Sequence, residues 1–130
     1  TFEITNFKFI KKNSIVNFER SLKFGNKIAG HFVQGHVDTT GKLLSLEKLS
    51  KTWTINIQIP KSFATLLVDK GSISINGVSL TIVKVRNNKF SLVVIPHTLR
   101  MTNIIKLNKN DVVNVEFDIV IKYLHKIQNK

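Results

Sequence analysis

Lys70–Ile82 reads KGSISINGVSLTI, and the Asn76-Gly77 pair at its centre decides the fold class. Asn-Gly tolerates positive φ at both central positions of a type I′ turn, whose twist matches two antiparallel strands, so the pair predicts a tight hairpin. Ser72 to Ile75 before the turn and Val78 to Val85 after it alternate with the period of two expected of a strand with one buried face. After the turn Val78, Leu80 and Ile82 point one way. Ser79 and Thr81 point the other, their Cα atoms about 6.6 Å apart at a rise of roughly 3.3 Å per residue. Two hydroxyls on one face, with the backbone groups between them, suit a flat polar heterocycle that needs several in-plane partners. They suit equally an ordinary solvent face on which Thr favours β structure.

Working outward, Thr52 to Ile59 sets Trp53, Ile55, Ile57 and Ile59 against Thr54, Asn56 and Gln58, a further half-buried strand. Pro60 fits the first turn of a short helix running to Val68, with Gly71 after its end. Lys89 to Ile95, joined to the preceding strand through Asn87-Asn88, and Val112 to Phe117 add further strands. Some six short strands without strand–helix alternation predict an all-β fold, a six-stranded antiparallel barrel. The C-terminal stretch differs: Val120, Tyr123, Leu124 and Ile127 form one helical stripe, and Lys122, Lys126 and Lys130 another. This amphipathic helix either docks on its own barrel or associates with other copies.

At 130 residues and 42% hydrophobic the chain is sized for one domain with its own core. It contains no cysteine, which removes disulfides and thiolate zinc sites. Apolar runs are far shorter than the roughly 20 residues of a membrane span, and no signal-like segment opens the chain, so a soluble cytoplasmic protein without membrane association is expected. The net charge of +12 invites a nucleic-acid reading. Against it, 17 of the 20 basic residues are Lys and they are scattered from Lys8 to Lys130, in a chain also rich in Asn, Ile and Phe. Trp53 and Tyr123 are too isolated to form a base-stacking platform. No nucleic-acid partner is expected.

Thr1–Arg20, TFEITNFKFIKKNSIVNFER, aligns without gaps on Thr98–Phe117, TLRMTNIIKLNKNDVVNVEF, at an offset of 97 residues with eight identities. The pairs are Thr1/Thr98, Thr5/Thr102, Asn6/Asn103, Lys12/Lys109, Asn13/Asn110, Val16/Val113, Asn17/Asn114 and Glu19/Glu116. A period of that length is domain-sized rather than solenoid-like. A tandem duplication is expected, with most of its first copy upstream. The chain opens on Thr rather than Met, and about 65 further residues would complete a first copy of equal length.

Two other segments could carry chemistry. In Gly30–Gly41, GHFVQGHVDTTG, glycines permit tight backbone paths around His31 and His36. A spacing of five puts these imidazoles on opposite faces of a strand, with no third His or Cys at ligand spacing, so no metal site is expected. Each imidazole is either a structural hydrogen-bonding group or a ligand contact and proton carrier. In Val94–Asn103, VIPHTLRMTN, Pro96 ends a strand and leaves His97 and Thr98 at its rim.

Gly30-His31 with Gly35-His36-Val37-Asp38, Lys70-Gly71-Ser72 with Gly77-Val78-Ser79-Leu80-Thr81, and Ile95-Pro96-His97-Thr98, in that order, resemble the second lumazine-binding repeat of the riboflavin synthase family. The resemblance covers essentially the whole chain. It implies the end of a first barrel in residues 1–31, a complete Greek-key barrel in 32–118 and a C-terminal helix in 119–130. It also implies a transferase that dismutates two molecules of 6,7-dimethyl-8-ribityllumazine into riboflavin and a ribitylamino-pyrimidinedione. The family works as a homotrimer without metal or organic cofactor, its reactive site formed where the first barrel of one subunit faces the second barrel of another. By resemblance Ser79, Leu80 and Thr81 hold the ring, Lys70, Val93, Val94, Ile95, Pro96, His97 and Thr98 line the site, and Gly35, His36 and Val37 reach toward the ligand. His36 and Ser79 are the expected proton-handling pair. Asp118 resembles a carboxylate near the site, and Thr1, matching Thr98, would belong to the first copy's site. A non-catalytic lumazine-binding antenna protein is the alternative.

Overall fold

A computed structural model describes residues 1–128. Six strands, β1 (Thr39–Leu49), β2 (Thr52–Gln58), β3 (Ser72–Ile75), β4 (Val78–Arg86), β5 (Lys89–Val94) and β6 (Val112–Phe117), close into a barrel in the order β1-β2-β5-β4-β3-β6. Every pairing is antiparallel. The expected all-β barrel is what the chain forms. The β3–β4 hairpin turns at Asn76 and Gly77 with φ of 48° and 81°, as a type I′ turn requires. The alternation also holds: Ile73, Ile75, Leu80, Ile82, Phe90, Leu92, Val113, Val115 and Phe117 fill the barrel, and Ser79 and Thr81 stay outside.

β1 has no clean alternation in the sequence, and its geometry explains why. Its register with β2 slips between Leu43 and Ser45, a bulge that puts two successive residues out of phase. Gly41 lies where β1 passes tightly over β2: a Cβ there would stand 2.6 Å from Ile57 Cγ2 and 3.2 Å from Val115 Cγ2. The segment after Pro60 forms a 3₁₀ helix, Lys61–Leu66, that lays Phe63 against Phe117, ring centroids 5.8 Å apart. Helix α1 (Pro96–Met101) and a 3₁₀ turn at Asn103–Lys106 bury Leu99 and Ile104 in the same core.

Helix α2 (Ile119–Gln128) begins where Asp118 Oδ1 accepts from the Val120 N–H at 3.0 Å. Lys122 Nζ donates to both oxygens of Asp38, at 2.9 and 2.8 Å, and holds the helix against the barrel. Its apolar stripe does not dock there: Val120, Tyr123, Leu124 and Ile127 are each more than half exposed. Asn129 and Lys130, the end of the expected helix, lie outside the described residues.

The repeat seen in the sequence is also a repeat of structure. Thr5 Oγ1 donates to Thr1 O at 2.8 Å and Thr102 Oγ1 to Thr98 O at 2.7 Å. The 3₁₀ turn Asn6–Phe9 matches that of Asn103–Lys106, and Asn13 and Asn110 share left-handed φ values of 71° and 76°. Divergence begins with the strand: Val112–Phe117 is β6, but its counterpart 15–20 has no strand partner and is irregular. As a result Phe7, Val16 and Phe18 are about half or more exposed, whereas their counterparts Ile104, Val113 and Val115 are fully buried.

Candidate functional site

β4 is paired unequally on its two sides. Toward β3 the ladder runs from Thr81 opposite Ser72 to Val78 opposite Ile75. Toward β5 it starts only at Ile82 opposite Leu92 and continues to the hairpin end. Ser79, Leu80 and Thr81 therefore have ladder partners on one side alone. In an antiparallel strand the edge that each residue's N–H and C=O face alternates. Ile82 spends both groups on the β3 side, on Gly71 O and Lys70 N, at 2.9 Å each. By alternation the backbone groups of Ser79, and the N–H of Thr81 next to the Ile82–Leu92 pair, face the unpaired side. Across it Val93 and Val94 pair with β2, at Thr54 and Trp53, and Val93 and Ile95 stand 41% and 53% exposed. The opening thus combines a row of backbone donors and acceptors with apolar flanks, the requirements of a flat heterocycle.

Lys70 is exposed with φ 63°, and its N–H bound to Ile82 O sets it on the β3 side of β4, across the strand from this opening. His97 is exposed and Pro96 and Thr98 half-buried, at the start of α1. Asp118 serves as a helix cap. Thr1 is exposed and accepts from Thr5 through its carbonyl, the same local arrangement as Thr98.

Residues 30–37 form an irregular strap over the outer wall of β4, β3 and β6. It is held at two points. His31 Nδ1 lies 2.8 Å from Ser79 Oγ, and its Nε2 is buried without a hydrogen-bond partner. Gly30, at φ +85°, brings the backbone so near that a Cβ would stand 2.9 Å from Ser79 Cβ and closer still to its Oγ. The second point is Glu116, whose carboxylate accepts from the Gln34 and Gly35 N–H groups. The imidazole that meets Ser79 is thus that of His31, while His36 is exposed and Val37 half-buried further along the strap. His31 and His36 are not on a strand, so their spacing does not oppose them across a sheet. Neither His31 nor Glu116 could have been assigned from spacing, since both contacts join the strap to strands far away in sequence.

A cleft of about 840 Å³ lies where the segment around Phe18 faces the β3–β4 turn and α1, lined among others by Ser79, Arg100, Met101 and Lys106. Of the residues expected at the site, Ser79 alone lines it. Among the described residues no three His, Asp or Glu side chains gather as a metal site would need, and no helix is long and apolar enough to cross a membrane.

The family model for the lumazine binding domain matches residues 34–118, the barrel from the second strap clamp to the cap of α2. The chain belongs to the lumazine-binding domain family. Riboflavin synthase of Photobacterium leiognathi is 35% identical over 127 residues, which is 98% of this chain but 58% of that protein. Riboflavin synthase of Bacillus subtilis is 34% identical over 130 residues, 60% of its length. The chain therefore spans about three-fifths of the curated relatives it matches. Among solved structures, LumP complexed with 6,7-dimethyl-8-(1′-D-ribityl) lumazine superposes with a TM-score of 0.77 at 25% identity, covering 87% of this chain and 61% of that one. LumP complexed with riboflavin gives 0.81, also at 25% identity, covering 89% and 63%. This lumazine-binding barrel is thus similar both to synthases and to a protein crystallised with lumazine and with riboflavin.

Proposed function

We propose that this chain is part of a riboflavin synthase, a soluble cytoplasmic transferase, and that its barrel holds one 6,7-dimethyl-8-ribityllumazine at the open edge of β4. The observation that carries this reading is that edge. Ser79 and Thr81 offer hydroxyl and backbone partners to the ring's carbonyls and nitrogens, and Val93 and Ile95 cover its faces. The reaction moves a four-carbon unit between two lumazines, giving riboflavin and a ribitylamino-pyrimidinedione. It requires loss of a proton from a methyl carbon of one of them. Donors aimed at the pteridine oxygens stabilise the resulting delocalised anion. Holding two rings face to face converts a bimolecular encounter into an effectively unimolecular step. In this chain Ser79 and His36 remain the residues assigned to proton handling, with His31 orienting the Ser79 hydroxyl through its 2.8 Å contact.

The second lumazine needs a second barrel, and residues 1–20 support one. Asn6 N–H donates to Asn114 Oδ1 at 2.6 Å, and Asn103 N–H to Asn17 Oδ1 at 2.7 Å. Asn6 Nδ2 donates to Val112 O at 3.1 Å, and Asn103 Nδ2 to Ile15 O at 3.2 Å. Shifting the two members of each bond by the repeat offset, one forward and one back, generates its counterpart, so the two segments hold each other as equals. Residues 1–31 are read accordingly as the end of a first barrel whose core would cover Phe7, Val16 and Phe18. Asn114→Ala should accelerate exchange of the Asn6 amide about tenfold, and Asn17→Ala that of the Asn103 amide equally, each losing one hydrogen bond to a backbone N–H. Strongly unequal effects would contradict the reciprocal arrangement. The exposed stripe of α2 suits the homotrimer expected of a synthase.

The test of function is titration of 6,7-dimethyl-8-ribityllumazine into the chain, following ligand fluorescence and riboflavin formation together. Saturable binding weakened about fivefold by Ser79→Ala is the expected result, since a hydrogen bond to a polar ring contributes about 1 kcal/mol. Failure of the folded chain to bind would refute the assignment of the β4 edge. The similarity to LumP supports a second reading, an antenna-type binder without catalysis. Binding that still yields no riboflavin when a first lumazine-binding barrel is supplied would favour it.

A further inference from the structure

Glu116 is only 4% exposed, on a strand whose neighbouring residues Val115 and Phe117 face the core. Its side chain therefore points to the outer wall, where it is buried because the strap lies over it. One carboxylate oxygen accepts from the Gln34 N–H at 2.7 Å and the other from the Gly35 N–H at 3.0 Å. Gly35 has φ +77°, and successive N–H groups that converge beside a left-handed residue form a concavity suited to an anion. Here the anion is the protein's own side chain. Among the described residues Glu116 makes no ion pair, so its charge is met by these backbone dipoles. The residue that follows the clamped pair is His36.

We propose that Glu116 is a positioning residue: by holding Gln34 and Gly35 it sets where His36 and Val37 stand relative to a ligand on the outer wall. The role assigned to His36 and Val37 rests on the lumazine reading above; the clamp itself does not. Across β3 the ladder runs from Glu116 to Ser74, and from Ser74 to Ser79 on β4. The strap, fixed to Glu116 at one point and to Ser79 at the other, therefore spans the same three strands at a set length. A shift at Glu116 is passed directly to the turn that carries His36. Glu19 is the repeat counterpart of Glu116 and would hold the corresponding strap of the first barrel.

Glu116→Gln keeps the shape but replaces one acceptor oxygen with an NH₂, so one of the two backbone N–H groups faces a donor. In the full 130-residue chain, hydrogen exchange should find the Gln34 and Gly35 amides protected. In the variant both should exchange at least about tenfold faster, with the melting temperature nearly unchanged. Lumazine affinity should fall about tenfold in Glu116→Gln, and most of that loss should vanish when the substitution is made in a His36→Ala, Val37→Ala background, because a residue that acts through others couples to them. Unprotected amides in the wild-type chain, or losses that simply add, would overturn the proposal. If wild-type chain binds no lumazine, the functional reading falls by itself, and amide exchange still decides whether the clamp exists.

Discussion

Phe117→Ala is expected to destabilise this chain by about 3–5 kcal/mol, the range for emptying a buried aromatic position. Phe117 is 2% exposed at the end of β6 and stacks on Phe63, rings 5.8 Å apart and inclined by 17°. Its removal leaves a cavity between the barrel interior and the Lys61–Leu66 turn, whose start is tied to the barrel where the Ile59 N–H donates to Asn88 O. For a domain whose whole stability is about 5–15 kcal/mol, the melting temperature should drop on the order of 15 °C. Phe63→Ala, at a half-buried residue, should cost less. The pair should couple by about 1 kcal/mol in a double-mutant cycle. A loss below about 1 kcal/mol for Phe117→Ala would mean that the barrel end is not packed as described.

Gly30→Val should leave the barrel standing and dislodge the strap. The position has φ +85°, where a β-branched residue is strained by about 1–3 kcal/mol, and the added Cβ would run into Ser79. Both costs disappear if residues 30–33 lift away, because that stretch lies outside the β-ladders. The expected result is a nearly unchanged melting temperature, loss of the His31–Ser79 contact seen as a shift of the His31 ring resonances, and lumazine binding weakened at least tenfold. Cooperative loss of the whole fold would instead show that the strap belongs to the barrel's folding core.

Much of the architecture was legible because its causes are local. Asn76-Gly77 specifies its turn through the φ values those two residues tolerate, and period-two alternation sorts β2 to β6 into inward and outward faces. β1 was not legible, since the bulge at Leu44 interrupts the very period by which a strand is recognised. The α2 stripe was legible as amphipathic, but whether it docks on its own barrel depends on where the Lys122–Asp38 pair sets the helix. Within the site, the shared face of Ser79 and Thr81 followed from alternation alone, whereas the ladder that stops at Ile82 did not.

The sequence by itself determined strands β2 to β6, the β3–β4 hairpin and the 97-residue internal repeat, because alternation, turn chemistry and the repeat are all local patterns read along the chain. Only the tertiary structure decided that His31 meets Ser79 across 48 residues and that Glu116 holds Gln34 across 82. Such pairings depend on which strands the closed barrel sets side by side beneath the strap, and no local periodicity encodes that order.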